Sequence, residues 1–432
     1  MSIVGLVVLP DQTPLQHLQS ICRLAAALAP NDAKQKDLLS VELSYEMYDA
    51  DNHLYEAADA LTRHLPAHRD RDLFWVTDER GHRHLILDGK WWDYIPNPTF
   101  DPIAKAGCLE EMFSGERSSM QVMADGMRNV EPLQLRPEYL QRDRRIERMD
   151  AQMVRAALMY PTLASGIEEY ARENPSLIVD ILWGFNRWLQ EEWGFAHEQR
   201  IFATPMLSLV DPDWAVKMLE WSINHGCRAV YMRPAAVPTA MGYRSPADPI
   251  FDPFWARCAE AEILVCIHLG ESGYYRQSGD YTGRYRRHAF SLSPFEHVYL
   301  HGRAITDFLS AMVLQGAFTR NPRLRLLSVE NGSDWFPFFV ESCRLYYQRY
   351  PADFPEDPME AIRRNLWISP YWEDPLPELA ATLSTSKILA GSDFPHAEGL
   401  AEPTDFVKSL TGFNEDDQRM IMHDNLKSLL GV

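Results

Sequence analysis

Residues 263–270 read Ile-Leu-Val-Cys-Ile-His-Leu-Gly, an apolar run that ends in a histidine and a glycine. A strand of this composition is typical of a parallel sheet that is covered by helices on both faces. Along the chain, short runs of this kind alternate with longer helical patterns, and such alternation indicates a parallel α/β fold. His268 is therefore predicted to stand at the carboxyl end of a buried parallel strand.

Eight strand-like runs are present, which is the number that closes a (β/α)8 barrel of the TIM type. They cover residues 47–53, 154–161, 201–209, 228–234, 263–270, 324–332, 366–372 and 388–395. An open, doubly wound sheet is the alternative, but it would usually carry a glycine-rich phosphate turn after its first strand, and none is found there. We predict one barrel domain over residues 46–432, with long insertions at 54–150 and 271–296, after the first and fifth strands.

Residues 1–45 are predicted to form a separate N-terminal helical extension. Leu15, Leu18, Cys22 and Ala25 recur at helical spacing, which indicates one amphipathic helix. The first residues are apolar over too short a length for a membrane span and lack the basic start of a signal peptide. The six cysteines form no C-x-x-C pair. We therefore expect a cytoplasmic protein with no membrane partner.

The composition excludes further classes of function. A formal net charge of −19 over 432 residues repels phosphate backbones, so a nucleic-acid partner is not expected. Hydrophobic residues make up 46% and charged residues 24% of the chain, as in an ordinary soluble globular enzyme. We expect a small-molecule substrate, and a homo-oligomer or a hetero-oligomer with a related subunit.

Candidate metal ligands stand at the ends of three predicted strands. Asp51 and His53 end the first run, and residues two apart in a strand point to the same side. His268 ends the fifth run and Asp393 the eighth. The carboxyl ends of barrel strands meet at one mouth, and carboxylate with imidazole is a usual donor set for divalent transition metals. These four residues are predicted to bind a divalent metal ion.

Further acidic and histidine residues lie close to the same strand ends. Asp393 is also a candidate to take a proton from metal-bound water, and Glu330, at the end of the sixth run, is a candidate acid or base, a ligand, or the partner of a nearby arginine. Glu56 would add a further ligand beyond the first strand. His301, ahead of a predicted helix at the mouth, is a candidate ligand and proton-transfer residue. His396 is either a ligand or a residue that orients the site.

Taken together, these motifs resemble the amidohydrolase superfamily, in particular the branch of aminocarboxymuconate-semialdehyde decarboxylase and the resorcylate decarboxylases. The motifs that carry the resemblance are D-A-D-N-H-L-Y-E (49–56), R-x-x-R-M-D-A-Q (145–152), G-A-F-x-R-N-P-R-L-R (316–325), V-E-N-G-S-D-W (329–335), G-S-D-F-P-H-x-E-G (391–399) and D-N-L-x-S-L-L-G (424–431). The resemblance implies that Asp51, His53, His268 and Asp393 bind zinc or manganese. It implies hydrolysis or non-oxidative decarboxylation of a small carboxylate-bearing or aromatic molecule.

Three departures from the family pattern leave alternatives open. The first-strand motif is Asp-x-His rather than His-x-His or Glu-x-His, the fourth run lacks the lysine of a bridged dinuclear centre, and Glu330 stands where the decarboxylases place a histidine. Besides hydrolysis or decarboxylation, a second interpretation is possible, because the sequence also resembles dinuclear iron or manganese–iron monooxygenases on the same scaffold. Glu56 and His301 would then complete the second metal site. The third interpretation is a non-catalytic subunit that holds a partner through residues 1–45 and the insertions.

Overall fold

The computed structural model describes residues 43–285 and 292–432, and seven of the eight predicted runs form strands within them. These barrel strands are Met47–Leu54, Val154–Pro161, Ile201–Ala203, Ala229–Met232, Leu264–His268, Arg325–Val329 and Leu366–Ile368. Neighbouring strands pair in parallel within a three-stranded and a four-stranded sheet. A parallel bridge between Met206 and Tyr231 joins the two sheets. The helix predicted within residues 1–45 lies outside the described residues.

The eighth run closes the ring although it is not a continuous strand. Ile388 forms a parallel bridge with Ile368 of the seventh strand, and Phe394 forms one with Asn52 of the first. Hydrogen bonds from Ala50 N to Ala390 O and from His53 N to Phe394 O support the second junction, at 2.9 and 2.7 Å. The predicted (β/α)8 barrel is therefore confirmed. The third strand is shorter than predicted because Pro205 interrupts it and has no N–H to donate.

Helices cover the outside of the ring, and three of the longer ones begin at a side-chain cap. The longer ones are Arg142–Ala151, Pro175–Glu192, Pro212–Asn224, Asp252–Glu260, Arg303–Leu314, Phe336–Arg349, Pro358–Asn365 and Leu376–Leu383, and the chain ends in Asn425–Leu430. Asp211 accepts a hydrogen bond from the Trp214 N–H, and Asn174 accepts one from Leu177 N–H, each just ahead of a proline at the first helical position. None of the helices in the described ranges is both long enough and apolar enough to cross a membrane.

Both insertions follow the carboxyl ends of strands, as predicted. The first contains a three-stranded antiparallel sheet, Leu73–Thr77, Arg83–Leu87 and Lys90–Trp91, and a two-stranded one, Ile103–Ala104 and Val130–Glu131. Trp92 of this insertion is buried, with its ring 4.6 Å from that of Tyr170, which follows the second barrel strand. The insertion therefore packs on the barrel mouth. The second insertion contributes helices Tyr275–Thr282 and Pro294–Leu300.

Candidate metal centre

The first barrel strand is fully buried although four of its residues are polar. Asp49, one of them, is saturated with hydrogen bonds: its carboxylate accepts from Asp51 N–H, from the Asn52 amide, and from both the N–H and the hydroxyl of Ser392. Burial nevertheless raises the pKa of Asp49 to about 6, against the effect of these bonds. Asp49 therefore ties the first strand to the eighth and has no acceptor capacity left for a metal.

The position of Asp51 depends on an irregularity in the first strand and on a glycine in the eighth run. The register of the first strand against the second shifts between Asp49 and Asn52, and such bulges redirect side chains beside functional sites. Gly391 of the eighth run faces this irregularity. A Cβ atom at residue 391 would lie 2.6 Å from Asp51 Cβ and 2.3 Å from Ser369 Oγ. Only glycine lets the eighth run approach Asp51 so closely.

Five of the predicted site residues converge at the barrel mouth. His53 Nε2 lies 3.3 Å from both Asp51 Oδ1 and Asp393 Oδ1, and 3.6 Å from Glu330 Oε2. His268 Nε2 lies 3.5 Å from Asp51 Oδ1 and 3.2 Å from Glu330 Oε2. Ligand atoms of Asp51, His53, His268 and Glu330 all lie within 4.8 Å of one another, so Glu330 completes this group. Asp393, the fourth predicted ligand, adjoins it through His53.

The donor atoms of this group fit a metal ion. Asp51 Oδ1, His53 Nε2, His268 Nε2 and Asp393 Oδ1 are buried and have no hydrogen-bond partner. His268 Nδ1 lies 2.8 Å from the Leu269 carbonyl oxygen, which only accepts, so Nδ1 carries the proton and Nε2 presents a lone pair. Buried polar atoms without partners are rare in folded proteins. Converging lone pairs on oxygen and nitrogen are what a divalent transition metal binds.

The electrostatics of the group point to the same need for a cation. Burial lowers the pKa of His53, but its interactions with Asp51 and Glu330 outweigh this and raise the pKa to about 9. The pKa of Asp393 is raised well above its usual value by burial and by the nearby Glu330. Without a metal, the carboxylates thus hold a proton on His53 or on themselves.

Two of the acidic residues have an unusual backbone conformation. Glu330 and Asp393 have φ angles of 56° and 55°, in the left-handed region that non-glycine residues seldom adopt. Such conformations cost roughly 1–3 kcal/mol each and are concentrated at functional sites. Both residues directly follow a barrel strand or its equivalent, so the strained turn directs each carboxylate toward the mouth.

Glu56, predicted as a further ligand, does not lie in this group. Its Oε2 and Oε1 atoms accept hydrogen bonds from the backbone N–H groups of Leu163 and Ala164, at 2.9 and 3.0 Å. Burial raises its pKa to about 7. Glu56 therefore caps the short turn that follows the second barrel strand.

His301 is also placed elsewhere. It precedes helix Arg303–Leu314 as predicted, but its side chain is half-exposed and its Nε2 lies 2.6 Å from Asp334 Oδ1. The structure therefore gives His301 a surface carboxylate as its partner and does not bring it to the candidate ligands.

The segment after Asp393 contributes two residues that sequence reasoning missed or left undecided. Ligand atoms of Glu330, Asp393, His396 and Glu398 all lie within 4.8 Å of one another. The sequence leaves His396 open between a ligand and an orienting residue, and it contains Glu398 in the motif 391–399 without indicating a role for it. The available signal was their spacing in the motif Asp393-Phe-Pro-His-Ala-Glu398, three and five residues after the aspartate.

With this geometry established, comparison with known proteins identifies the family. The amidohydrolase family matches the chain over residues 81–432. The chain belongs to the amidohydrolase family. An amidohydrolase from Mycobacterium avium subsp. paratuberculosis K-10 is 40% identical, with 90% of this chain and 99% of that chain covered and a TM-score of 0.85. The resemblance stated from the sequence motifs is thus confirmed.

Two more distant structures share the fold. A 2,6-dihydroxybenzoate decarboxylase in complex with 2,6-dihydroxybenzoate is 15% identical over 90% of this chain and 100% of that chain, with a TM-score of 0.58. A dihydroxybenzoic acid decarboxylase from Polaromonas sp. JS666, with bound manganese and the inhibitor 2-nitroresorcinol, is 13% identical over 90% and 97%, with a TM-score of 0.54. At these identities the amidohydrolase barrel is what the proteins have in common.

Proposed function

We propose that this amidohydrolase catalyses the metal-dependent hydrolysis or non-oxidative decarboxylation of a small carboxylate-bearing or aromatic molecule. The observation that carries the proposal is the convergence of Asp51, His53, His268 and Glu330 at one end of the barrel. Donor atoms of the first three, and of Asp393 beside His53, are buried without a hydrogen-bond partner. A decarboxylase of the same fold in complex with 2,6-dihydroxybenzoate supports an aromatic substrate that carries a carboxylate.

The side chains of the centre differ in how deeply they are buried. The side chains of Asp51 and His53 are 6% and 2% exposed, whereas those of Glu330 and Asp393 are 14% and 13% exposed. A bound divalent metal would polarise a substrate oxygen or lower the pKa of water toward about 7. Glu330 and Asp393 face the open side, so they are the groups that can take a proton from water or deliver one to the substrate.

The two reaction types make different demands on Glu330. Hydrolysis needs a carboxylate that accepts a proton from water, and decarboxylation needs an acid that protonates the carbon that loses CO2. Glu330 Oε2 lies beside both His53 and His268, at 3.6 and 3.2 Å, so it is held at the same place for either task. One carboxyl group can therefore meet both demands.

Two arginines near the barrel mouth that could bind an anionic substrate already have a carboxylate partner. Arg276, on the second insertion, pairs with the buried carboxylate of Glu169. Arg233, at the end of the fourth strand, pairs with the same carboxylate, with Nη1 3.1 Å from Glu169 Oε2. We therefore expect a substrate carboxylate to be bound mainly at the metal centre rather than by these arginines.

Metal analysis followed by a substrate panel tests the proposal. Protein purified without chelator is expected to contain zinc or manganese and to release CO2 from a hydroxylated benzoate, or product from an amide or ester. The metal-free protein is expected to be inactive until the metal is restored. Absence of metal under every loading condition would overturn the proposal. Turnover by the chain alone would exclude the reading of a non-catalytic subunit.

A second candidate function, oxygen activation, is favoured by the number of donors around the centre. The acidic and histidine side chains exceed what one ion requires, because Glu330, His396 and Glu398 add to the four predicted ligands. Two redox-active metals per chain and oxygen consumption with a reductant would support the oxygenase. A single zinc ion that gives full activity would exclude it.

A further inference from the structure

Beside the candidate ligands lies a second group that shares only part of its residues with the first. Asp51 and His268 belong to one side, where they meet His53 and Glu330. On the other side, the group comprises Glu330, Asp393, His396 and Glu398. The two groups have Glu330 in common, and His53 connects to both, because it also groups with Asp393 and His396.

The tautomer of His396 directs a lone pair at a carboxylate oxygen of this second group. The Thr162 hydroxyl donates its hydrogen to the Leu54 carbonyl oxygen at 2.9 Å, so it can only accept from His396 Nε2, which lies 3.1 Å away. His396 Nε2 therefore carries the proton and Nδ1 presents a lone pair. That lone pair lies 2.7 Å from Asp393 Oδ1, and both atoms are buried without a hydrogen-bond partner.

His53, a predicted ligand of the first ion, lies between the two groups. Its side chain is 2% exposed, and neither Nδ1 nor Nε2 has a hydrogen-bond partner. Its ring centroid lies 3.9 Å from that of His396, so the two imidazoles sit side by side between the groups. A buried histidine with both nitrogens unpartnered is costly unless a cation is bound next to it.

The charge of the cluster exceeds what one divalent ion balances. Four carboxylates, those of Asp51, Glu330, Asp393 and Glu398, lie together, and within the described part of the chain none forms an ion pair with lysine or arginine. The nearby Arg145 instead donates to Asn52 and to the Glu138 carbonyl. If all four carboxylates are ionised and the histidines are neutral, one divalent ion leaves two negative charges in the site, and a second ion cancels them.

We propose that Glu330, Asp393, His396 and Glu398 form a second divalent-cation site next to the first, with Glu330 common to both groups. The proposal rests on the metal-dependent function proposed above. Three carboxylates and one imidazole make an oxygen-rich donor set, which suits manganese or ferrous iron better than zinc. Glu56 and His301, the residues that the sequence suggested for a second ion, have no part in it.

The test is a manganese titration of the full chain after removal of metal, followed by elemental analysis and electron paramagnetic resonance. Wild-type protein is expected to bind about two ions per chain and to give the spectrum of a spin-coupled pair. His396→Asn and Glu398→Gln are each expected to bind about one ion and to give the spectrum of an isolated manganese ion. The ion retained in the first site also reports that these variants are folded.

Matched control variants come from the same region of the chain. His301→Asn removes a histidine of the barrel mouth that lies outside both groups, and Glu402→Gln removes a glutamate that pairs with Arg148 at the surface. Both controls are expected to keep two ions and the coupled spectrum. Circular dichroism of the metal-free proteins checks that all variants share the wild-type fold.

The outcomes separate this proposal from the proposed function. One ion per wild-type chain, with unchanged occupancy in His396→Asn and Glu398→Gln, would overturn the second site and leave the metal-dependent function standing, with a proton taking the place of the second ion. No ion in the wild-type chain would overturn both. Two ions whose coupled spectrum survives in both variants would also overturn the assignment of these residues.

Discussion

The imidazole rings of His53 and His268 lie 5.0 Å apart and are nearly perpendicular, with an angle of 76° between their planes. Their Nε2 atoms approach the same oxygen, Asp51 Oδ1, from 3.3 and 3.5 Å. One residue comes from the first strand and the other from the fifth, so the barrel itself brings the two histidines to one point. Because the two strand ends meet here, substitution of either histidine should affect the same centre.

His268→Ala is expected to weaken binding of the first metal ion by at least about 100-fold, since even indirect changes around metal ligands cost 10- to 100-fold. The reason is that His268 supplies a lone pair whose direction is set by the hydrogen bond from Nδ1 to the Leu269 carbonyl. Isothermal titration of metal-free protein measures the change. His301→Ala serves as the control and should bind metal as the wild type does. Full occupancy in His268→Ala at low metal concentration would show that His268 is not a ligand.

Asp393→Asn is expected to lower kcat by roughly 10²- to 10⁴-fold, the usual contribution of a proton-transferring group, while the fold is kept. Asparagine tolerates the left-handed backbone conformation that Asp393 adopts, with φ of 55°, so the substitution removes the charge without adding strain. Steady-state kinetics with metal in excess, together with circular dichroism, checks both parts. An unchanged kcat would mean that the reaction takes place away from Asp393.

The pH dependence follows from the raised pKa of His53. In metal-free protein, protonated His53 interacts with Asp51 and Glu330, so its pKa rises from 6.5 to about 9 although burial opposes the shift. This stabilisation is complete below the unfolded pKa and is lost as pH rises through the folded value. The Tm of the metal-free protein should therefore fall between about pH 6.5 and 9 relative to His53→Gln.

Metal binding should show the opposite trend over the same range. A metal ion must displace the proton from His53, so affinity is expected to increase with pH until about pH 9. Proton release on metal addition in weakly buffered solution measures the displacement directly. Metal affinity that does not change over this range would argue that His53 is already neutral without metal.

Glu56→Gln distinguishes a structural role from metal ligation. The substitution replaces one of the two carboxylate acceptors for Leu163 and Ala164 N–H by a donor, which should destabilise the fold by about 1–3 kcal/mol. The metal content should stay at the wild-type value. Denaturant unfolding and elemental analysis provide the two readouts. Loss of an ion at unchanged stability would restore Glu56 as a ligand.

Much of the architecture was predictable because it depends on patterns that repeat. The apolar strand runs and their number predict the barrel, and the polar residues that end strands predict the convergence of Asp51, His53, His268 and Asp393. The lengths of the third and eighth strands were not predictable from periodicity. A proline interrupts one, and Gly391 with the left-handed Asp393 interrupts the other.

The positions of the remaining site residues depend on the direction in which the chain turns after a strand ends. Glu56 and His301 have suitable side chains, but each finds a different partner: backbone N–H groups more than 100 residues away for Glu56, and Asp334 for His301. Local sequence does not contain this information, because the partners are brought close only by the complete fold. His396 and Glu398 lie in an irregular segment where neither helical nor strand periodicity indicates a direction.

The contact between the first and eighth strands determines when the barrel can close during synthesis. Ser392 and Asp49 are 343 residues apart, yet their hydrogen bonds join the two ends of the ring, and ligands for a metal ion stand on both sides of this seam. An ion bound there would join the first strand to the eighth, and it could do so only after the last strand has been synthesised. Metal uptake would then mark the moment at which a newly made chain becomes a finished enzyme, and cells short of the metal would accumulate chains whose seam opens more readily.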